Sequence, residues 1–398
     1  MQKVILCNLD LIKRAEYTDF SILDSLRKEL NDILSEDMNV VCFYSGDRRY
    51  LEEAKRIYKE NYKDYKFEFR TRQSLETVIL KNKDHKNYYV IVGKKNADFQ
   101  LAVNNKILFV VPSWLNMEDK AEHYGVKVDN VQQLIKLIQT LNNHNYWYSK
   151  IEVDKITTVF SLMDARFVRY AQSVQEREMI ENFERLLKRG ASRKYYEILL
   201  YHFLSGMTNV KLFDDITLWG MIPSSDTSLN NIVFEFKEYA RIINKGFDPR
   251  NATLKNVIQR HTVKQKAHFS DSNDRIKYGA LKEFETICIN PEYKQKIDTL
   301  RREGNLNVCI FDDYLTHGNT FEAIRNIFIN LGANKIIFVS LGSFCNCYEK
   351  NDYNITGDVY SSNYTAKNIS HTQIFSTGFE IHGEAKNEIE SLYNIFNN

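Results

Sequence analysis

Val308-Cys309-Ile310-Phe311-Asp312-Asp313-Tyr314-Leu315-Thr316-His317-Gly318-Asn319-Thr320 decides how the second half of this chain is read. Four apolar residues form a short buried strand, and two acids end it. A turn rich in hydroxyl and glycine follows, and the periodic stretch Phe321–Leu331 reads as a helix. After Gly332-Ala333 a further apolar run, Lys335–Leu341, completes a β–loop–α–β unit. In open α/β sheets such a loop emerges where ligands bind, at the carboxyl ends of the strands. Gly318 would let backbone N–H groups approach a phosphate, Thr316 and Thr320 would add hydroxyl donors, and the helix N-terminus would add a positive dipole. Two adjacent carboxylates suit the vicinal hydroxyls of a ribose.

Two acids followed by T-x-G-x-T resemble the motif with which type I phosphoribosyltransferases bind phosphoribosyl pyrophosphate (PRPP). That resemblance implies that Asp312 and Asp313 hold the ribose and, through PRPP, a Mg²⁺ ion. It implies that Thr316, His317, Gly318, Asn319 and Thr320 cradle the 5′-phosphate. His317 stands where the family often has a second threonine. Upstream, Trp219-Gly220-Met221-Ile222-Pro223-Ser224-Ser225 ends a strand and opens a polar loop, as the family's pyrophosphate loop does, with Ser224 and Ser225 as the contacts. The basic segment Arg260–His268, with Arg260, Lys264 and Lys266, reads as a flexible loop that could close over the leaving pyrophosphate. This order of parts, with Leu254–Arg275 between the two loops, is similar to the phosphoribosyltransferases associated with bacterial competence proteins. The zinc ribbon that those proteins often carry at the N-terminus has no counterpart here.

Around this segment the remaining pattern is also α/β, and the expected architecture is two α/β domains in series, each a mainly parallel sheet flanked by helices. Strands are expected at Val4–Cys7, Val40–Tyr44, Tyr89–Val92 and Ile107–Val111, with amphipathic helices at Phe20–Ser35, Leu51–Lys59, Ala97–Asn104 and Val131–Leu141. The polar stretch 141–146 breaks the periodicity and divides a domain over 1–142 from one over 147–398. Residues 157–206 read as helical. Strands are expected again at Ile216–Ile222 and Thr286–Ile289, a helix at Pro291–Arg302 and a terminal helix at Glu384–Phe396. The polar residues 345–378 show no period.

Residues 1–142 resemble the haloacid dehalogenase-like (HAD) phosphatase fold. An apolar strand leads into Asn8-Leu9-Asp10, a second ends at Ser45-Gly46, and a third precedes Gly93-Lys94-Lys95-Asn96-Ala97-Asp98. Lys81 and Lys83 are candidates for that family's motif lysine. Against the family's pattern, Asn8 replaces the carboxylate nucleophile and Lys94 a magnesium-binding acid. An amide is a poor nucleophile, and an ammonium opposes Mg²⁺, so the resemblance implies a frame without phosphatase activity in which Lys94 takes the place of the metal.

Composition excludes less than it permits. With 54 Lys+Arg against 52 Asp+Glu, net charge is +2, and nothing in the balance points to nucleic acid. No apolar run approaches the roughly 20 residues that span a bilayer. Six scattered cysteines, of which only Cys345 and Cys347 are close-spaced, read as reduced thiols, and the expected setting is cytoplasmic. The resulting expectation is a bacterial enzyme of nucleotide metabolism that transfers phosphoribose from PRPP to a base-like nitrogen acceptor. The alternative is a PRPP- or nucleotide-sensing regulator that does not turn over. Association into a homo-oligomer is compatible with either.

Overall fold

A computed structural model describes residues 3–34, 39–82, 84, 88–141, 146–166, 171, 173–189, 193–246, 255–264, 280–344 and 347–397. The protein is α/β, built on two six-stranded sheets flanked by helices.

The first sheet is wholly parallel. Its strands are β1 (Val4–Asn8), β2 (Val40–Ser45), β3 (Glu68–Thr71), β4 (Tyr89–Val92), β5 (Leu108–Pro112) and β6 (Val126–Val128), in the order 3-2-1-4-5-6. Helices α1 (Phe20–Ile33), α2 (Arg48–Asn61), α3 (Arg72–Lys81), α4 (Asn96–Asn105), α5 (Asp119–Tyr124) and α6 (Val131–Leu141) connect and flank the strands. β1 and β4 are neighbours although the chain leaves β1 toward β2, so the direction of winding reverses between them. That reversal opens a crevice at the carboxyl ends of the strands.

The second sheet is mixed. Four parallel strands, β8 (Thr157–Asp164), β9 (Leu218–Met221), β12 (Asn307–Leu315) and β13 (Lys335–Ser343), lie in the order 8-13-12-9. The antiparallel strands β7 (Ser149–Glu152) and β16 (Phe379–Ile381) extend the β8 edge. Val308–Phe311 are fully buried, as expected of a strand covered on both faces. Helices α7 (Val174–Arg189), α8 (Arg193–Asn209) and α9 (Asn231–Lys245) precede β12 in the chain. After α9 come α10 (Lys294–Arg302), α11 (Asn319–Asn330) and α12 (Gly383–Asn397). Two small antiparallel ribbons complete this half, β10 (Ile258–Arg260) with β11 (Ile287–Ile289), and the hairpin β14 (Cys347–Gly357) with β15 (Tyr364–Phe375).

Three sequence expectations need correction, and one stretch left without assignment gains a structure. Thr157–Asp164, expected to be helical, is a central strand, and α7 and α8 begin after it. Its residues are buried almost throughout, so the alternation that marks a strand is missing and only the β-branched and aromatic content remains as a signal. The strand expected at Thr286–Ile289 forms, but pairs with β10 outside the main sheet. The acids of the PRPP-like segment do not follow β12 but lie within it, since the strand runs on to Leu315. The stretch 345–378, which shows no period, holds the longest pairing in the second half, β14–β15.

One apolar cluster joins the two halves. Leu134, Leu137 and Ile138 of α6, Leu199 and Leu204 of α8, and Ile389 and Leu392 of α12 all belong to it. Polar ties cross at the same level. Tyr239 donates to the His123 carbonyl at 2.6 Å, and Tyr201 accepts from Lys127 N at 3.1 Å.

Candidate functional site

β9 and β12 run parallel in register, Leu218 beside Val308 and Met221 beside Phe311, and Ile222 N continues the ladder to Phe311 O at 2.8 Å. The loop carrying Ser224 and Ser225 therefore emerges next to Asp312 and Asp313. Asn256 fastens the end of β9 to the β10 segment. Its side chain accepts from Met221 N at 3.0 Å and donates to Met221 O and Ile258 O at 2.7 and 2.8 Å. Gly220 permits this closeness, because a Cβ there would sit 2.3 Å from a Val257 methyl. Lys264 N then donates to Ser225 O at 2.8 Å, which attaches the basic segment to the polar loop. Within that loop Ser224 N reaches Ser228 O at 2.9 Å, and Thr227 holds a left-handed φ of 75°, a costly backbone for a β-branched residue.

A residue the sequence reading missed gathers these pieces. Glu283, in a helical turn over residues 280–284, is wholly buried. It pairs with Arg260 at 3.0 Å and with Lys264, and accepts from the Thr320 hydroxyl at 2.8 Å. Burial alone would raise its carboxyl, but Lys264 and then Arg260 outweigh it and hold Glu283 below the usual range. Arg260 is itself a buried strand residue bonded also to Thr286. The flexible loop expected over Arg260–His268 is thereby corrected at Arg260, a buried strand residue, and Lys264 is held on the buried Glu283, whereas His261, Thr262 and Val263 are exposed and residues 265–268 lie outside the described residues. Lys266 lies outside the described residues, as do Arg275 and Lys83.

Asp312 and Asp313 are half-buried, and each accepts from the backbone N–H that follows it, at 2.9 and 2.7 Å. Burial first, and then the adjacent Asp313 carboxylate, push the Asp312 carboxyl well above its ordinary value. Among the described residues no cation pairs with Asp312. Gly318 is the N-cap of α11, with φ 79° and ψ 5°, and a Cβ there would fall 2.3 Å from the buried Tyr348 ring. Two requirements meet in this glycine, a left-handed backbone and a close packing contact. Thr316 is exposed, and His317, Asn319 and Thr320 are half-buried. Nothing in the motif singled out Tyr348 or Glu283, which come from segments with no helical or strand period. Asp164 and Arg166, paired at the end of β8 near Ser343 of β13, also belong to this edge of the sheet.

In the first half, Asn8 ends β1, Ser45 ends β2, and Lys94 and Asp98 follow β4, so the three motif segments meet at the crevice where the winding reverses. Asp98 is buried there. It receives the Asn8 amide at 2.8 and 2.9 Å, the Tyr44 hydroxyl at 2.8 Å, and the Lys94 and Lys95 N–H groups at 3.2 and 3.0 Å. Burial raises its carboxyl and these donors oppose the rise. Gly93 leaves room for that carboxylate, since a Cβ would lie 2.4 Å from it. Lys94, expected in the place of a metal, instead pairs with Glu16. Lys95 is the cation on Asp10, at 2.6 Å. Asn8 Oδ1 accepts from Asp10 N at 2.9 Å, and Ser45 Oγ accepts from Asp47 N at 3.0 Å. Lys81, at the end of α3, is exposed.

No protein-family model matches the chain, and neither the curated proteins nor the solved structures yield a match. Among the described residues no helix is long and apolar enough to cross a membrane.

Proposed function

We propose that the C-terminal half binds PRPP at the carboxyl edge of β9 and β12 and transfers its phosphoribosyl group to a nitrogen of a small base-like acceptor, releasing pyrophosphate. The observation that carries this reading is the convergence of three segments far apart in sequence. Ser224-Ser225, Lys264 and Asp312–Thr320 are joined at one sheet edge by the β9–β12 register, the Lys264–Ser225 bond and Glu283.

Each part has a task in that reaction. Asp312 and Asp313 accept from the ribose hydroxyls, and the backbone N–H groups at the start of α11 hold the 5′-phosphate. The residues fit a magnesium ion brought in with PRPP. Asp312 is crowded by burial and by Asp313, and oxygen ligands on a hard cation relieve that crowding. Such an ion supplies charge neutralisation for the pyrophosphate. The remaining work is positional, because displacement at C1 builds positive charge on the ribose and negative charge on the leaving group. Lys264 can serve that leaving group with ammonium protons that Glu283 does not take, or by exchanging Glu283 for pyrophosphate.

That last point favours a second reading, a PRPP sensor without turnover, in which ligand binding breaks the Lys264–Glu283 pair and reports occupancy through the β10 segment. The HAD-like half, with Asn8 bonded to Asp98 and Lys95 on Asp10, is proposed to have no phosphatase activity.

Calorimetry with PRPP and Mg²⁺ tests binding. Asp312→Asn with Asp313→Asn is expected to weaken it at least tenfold, about 1.4 kcal/mol. Equal affinity in wild type and double variant would remove the ribose assignment. Pyrophosphate release across a panel of bases separates transferase from sensor.

A further inference from the structure

The hairpin β14–β15 brings a second set of ligand-type side chains against the phosphate loop. Cys347 and Glu349, two apart on β14, share a face, and Gln373 sits opposite Glu349 in the register. Glu349 N donates to His317 O at 2.9 Å, which clips the hairpin to the loop. One ligand atom each from His317, Cys347 and Glu349 lies within 4.8 Å of the other two. Cys347 Sγ stands 3.4 Å from Glu349 Oε1. With metal bonds of about 2.3 Å to sulfur and 2.0–2.2 Å to nitrogen and oxygen, ligand atoms around one tetrahedral ion are separated by roughly this distance.

Two further observations point to an ion rather than to a polar contact. His317 Nδ1 is buried with no hydrogen-bond partner, which is costly for a ring nitrogen. The Glu349 carboxylate, on a wholly buried side chain, is held by two side chains, with His371 Nε2 at 2.6 Å from Oε2 and Gln373 Nε2 at 2.6 Å from Oε1. Carboxylates that bind metals are oriented by such outer partners. Gln373 Nε2 also lies 3.0 Å from Cys347 Sγ, where it can donate to a thiolate.

We propose that His317, Cys347 and Glu349 form a zinc site, with the fourth position open to water or a phosphate oxygen. Thiolate and imidazole select Zn²⁺ over Mg²⁺, so this site is chemically separate from the magnesium carried by PRPP. On binding, Cys347 loses its thiol proton to solvent and a Zn–S bond forms, without change of oxidation state. The ion ties the loop Thr316–Thr320 to the hairpin and fixes the His317 ring. The site stands on protein ligands alone and holds whether or not PRPP is the substrate.

The test uses the full-length protein stripped with a chelator and titrated with Co²⁺ in the absence of PRPP. One Co²⁺ per chain is expected, with thiolate-to-cobalt charge-transfer absorption that Zn²⁺ abolishes by displacement. Cys347→Ser should lose that absorption and Cys288→Ser should keep it. His317→Ala should bind Co²⁺ at least tenfold more weakly while its far-UV circular dichroism is unchanged. No charge-transfer band in the wild type, a band that survives in Cys347→Ser, or unchanged affinity in His317→Ala would each overturn the assignment.

Discussion

The two crevices are built alike and charged differently. Each lies at the carboxyl ends of neighbouring parallel strands, and each collects acids there. In the first, the acidic groups have protein partners. Asp98 has Asn8, Tyr44 and two backbone N–H groups, Asp10 has Lys95, and Glu16 has Lys94. In the second, Glu283 is neutralised by Arg260 and Lys264, but Asp312 is left in a half-buried place beside Asp313 with its carboxyl pushed up. A crevice whose charges are internally matched has little to gain from an ion or a polar ligand. One that stores repulsion between carboxylates gains stability when a ligand arrives, because whatever binds only the folded state stabilises it. The contrast favours the second crevice as the functional candidate.

That contrast can be attacked at Glu283 with the largest expected effect. Glu283→Gln removes the counter-charge from buried Arg260 and should cost about 3–5 kcal/mol in urea unfolding. Because its folded pKa is lowered, the Glu283 contribution is complete above the unfolded glutamate value, about 4.3, and is lost as pH falls through the folded value. The variant should therefore lose less stability than wild type on acidification. A cost below about 1 kcal/mol would mean the node does not hold the site together.

Gly318→Val comes next. A β-branched residue in the left-handed region and a collision with Tyr348 add to roughly 2–5 kcal/mol, from about 1–2 and 1–3. Loss of PRPP binding in this variant would be accompanied by a lower Tm, and an unchanged Tm would show that the loop can open away from Tyr348.

In the first crevice, Asn8→Asp places a carboxylate where an amide now donates to Asp98. About 1–3 kcal/mol should be lost at neutral pH. One proton shared by two acids is bound more tightly in the folded state, so the deficit should grow as pH rises through the carboxylate range and shrink below about pH 4. Melts at the two pH values check this. Adding Lys94→Asp should still give no hydrolysis of a chromogenic phosphate, since Lys95 remains on Asp10. Turnover by the wild type would end the distinction between the crevices.

The smallest effect has the opposite sign. Asp312→Asn should stabilise the unliganded protein by about 0.5–2 kcal/mol while weakening PRPP and Mg²⁺. With a raised folded pKa, Asp312 contributes fully only below the unfolded value, and that contribution disappears as pH rises. The variant's stability should be flatter with pH on the alkaline side of that range. A variant less stable than wild type would show that Asp312 serves the fold.

Much of this was legible in the sequence, because amphipathic helices keep their period where one face is solvated and short buried strands stand out as apolar runs between polar segments. α1, α4, α6 and the strands β1, β2, β4 and β5 fall within a few residues of their expected places. β8 did not, since Thr157, Thr158 and Ser161 break up the apolar run that marks the other buried strands, and burial on both faces leaves no alternation to replace it. The PRPP-like loop could be read because its acids, glycine and threonines are contiguous. Glu283, Tyr348 and Glu349 could not, because their importance comes from contacts with residues 22 to 37 positions away. The identity of the cation on Asp10 was a matter of side-chain geometry between two adjacent lysines, which spacing alone does not decide.

Helix α12 gives the order of synthesis a structural meaning. Its Ile389 and Leu392 share the apolar cluster with α6 and α8, Glu388 meets His202 at 2.9 Å, and Tyr393 receives Asn182 at 2.9 Å. A nascent chain folds from its N-terminal end as it emerges from the ribosome. The first sheet can therefore pair all its strands while α6 still shows the side that α12 will cover. Until residues 383–397 have been made, that stripe of α6 stays bare, so the apolar cluster that joins the two halves closes only when the last helix arrives.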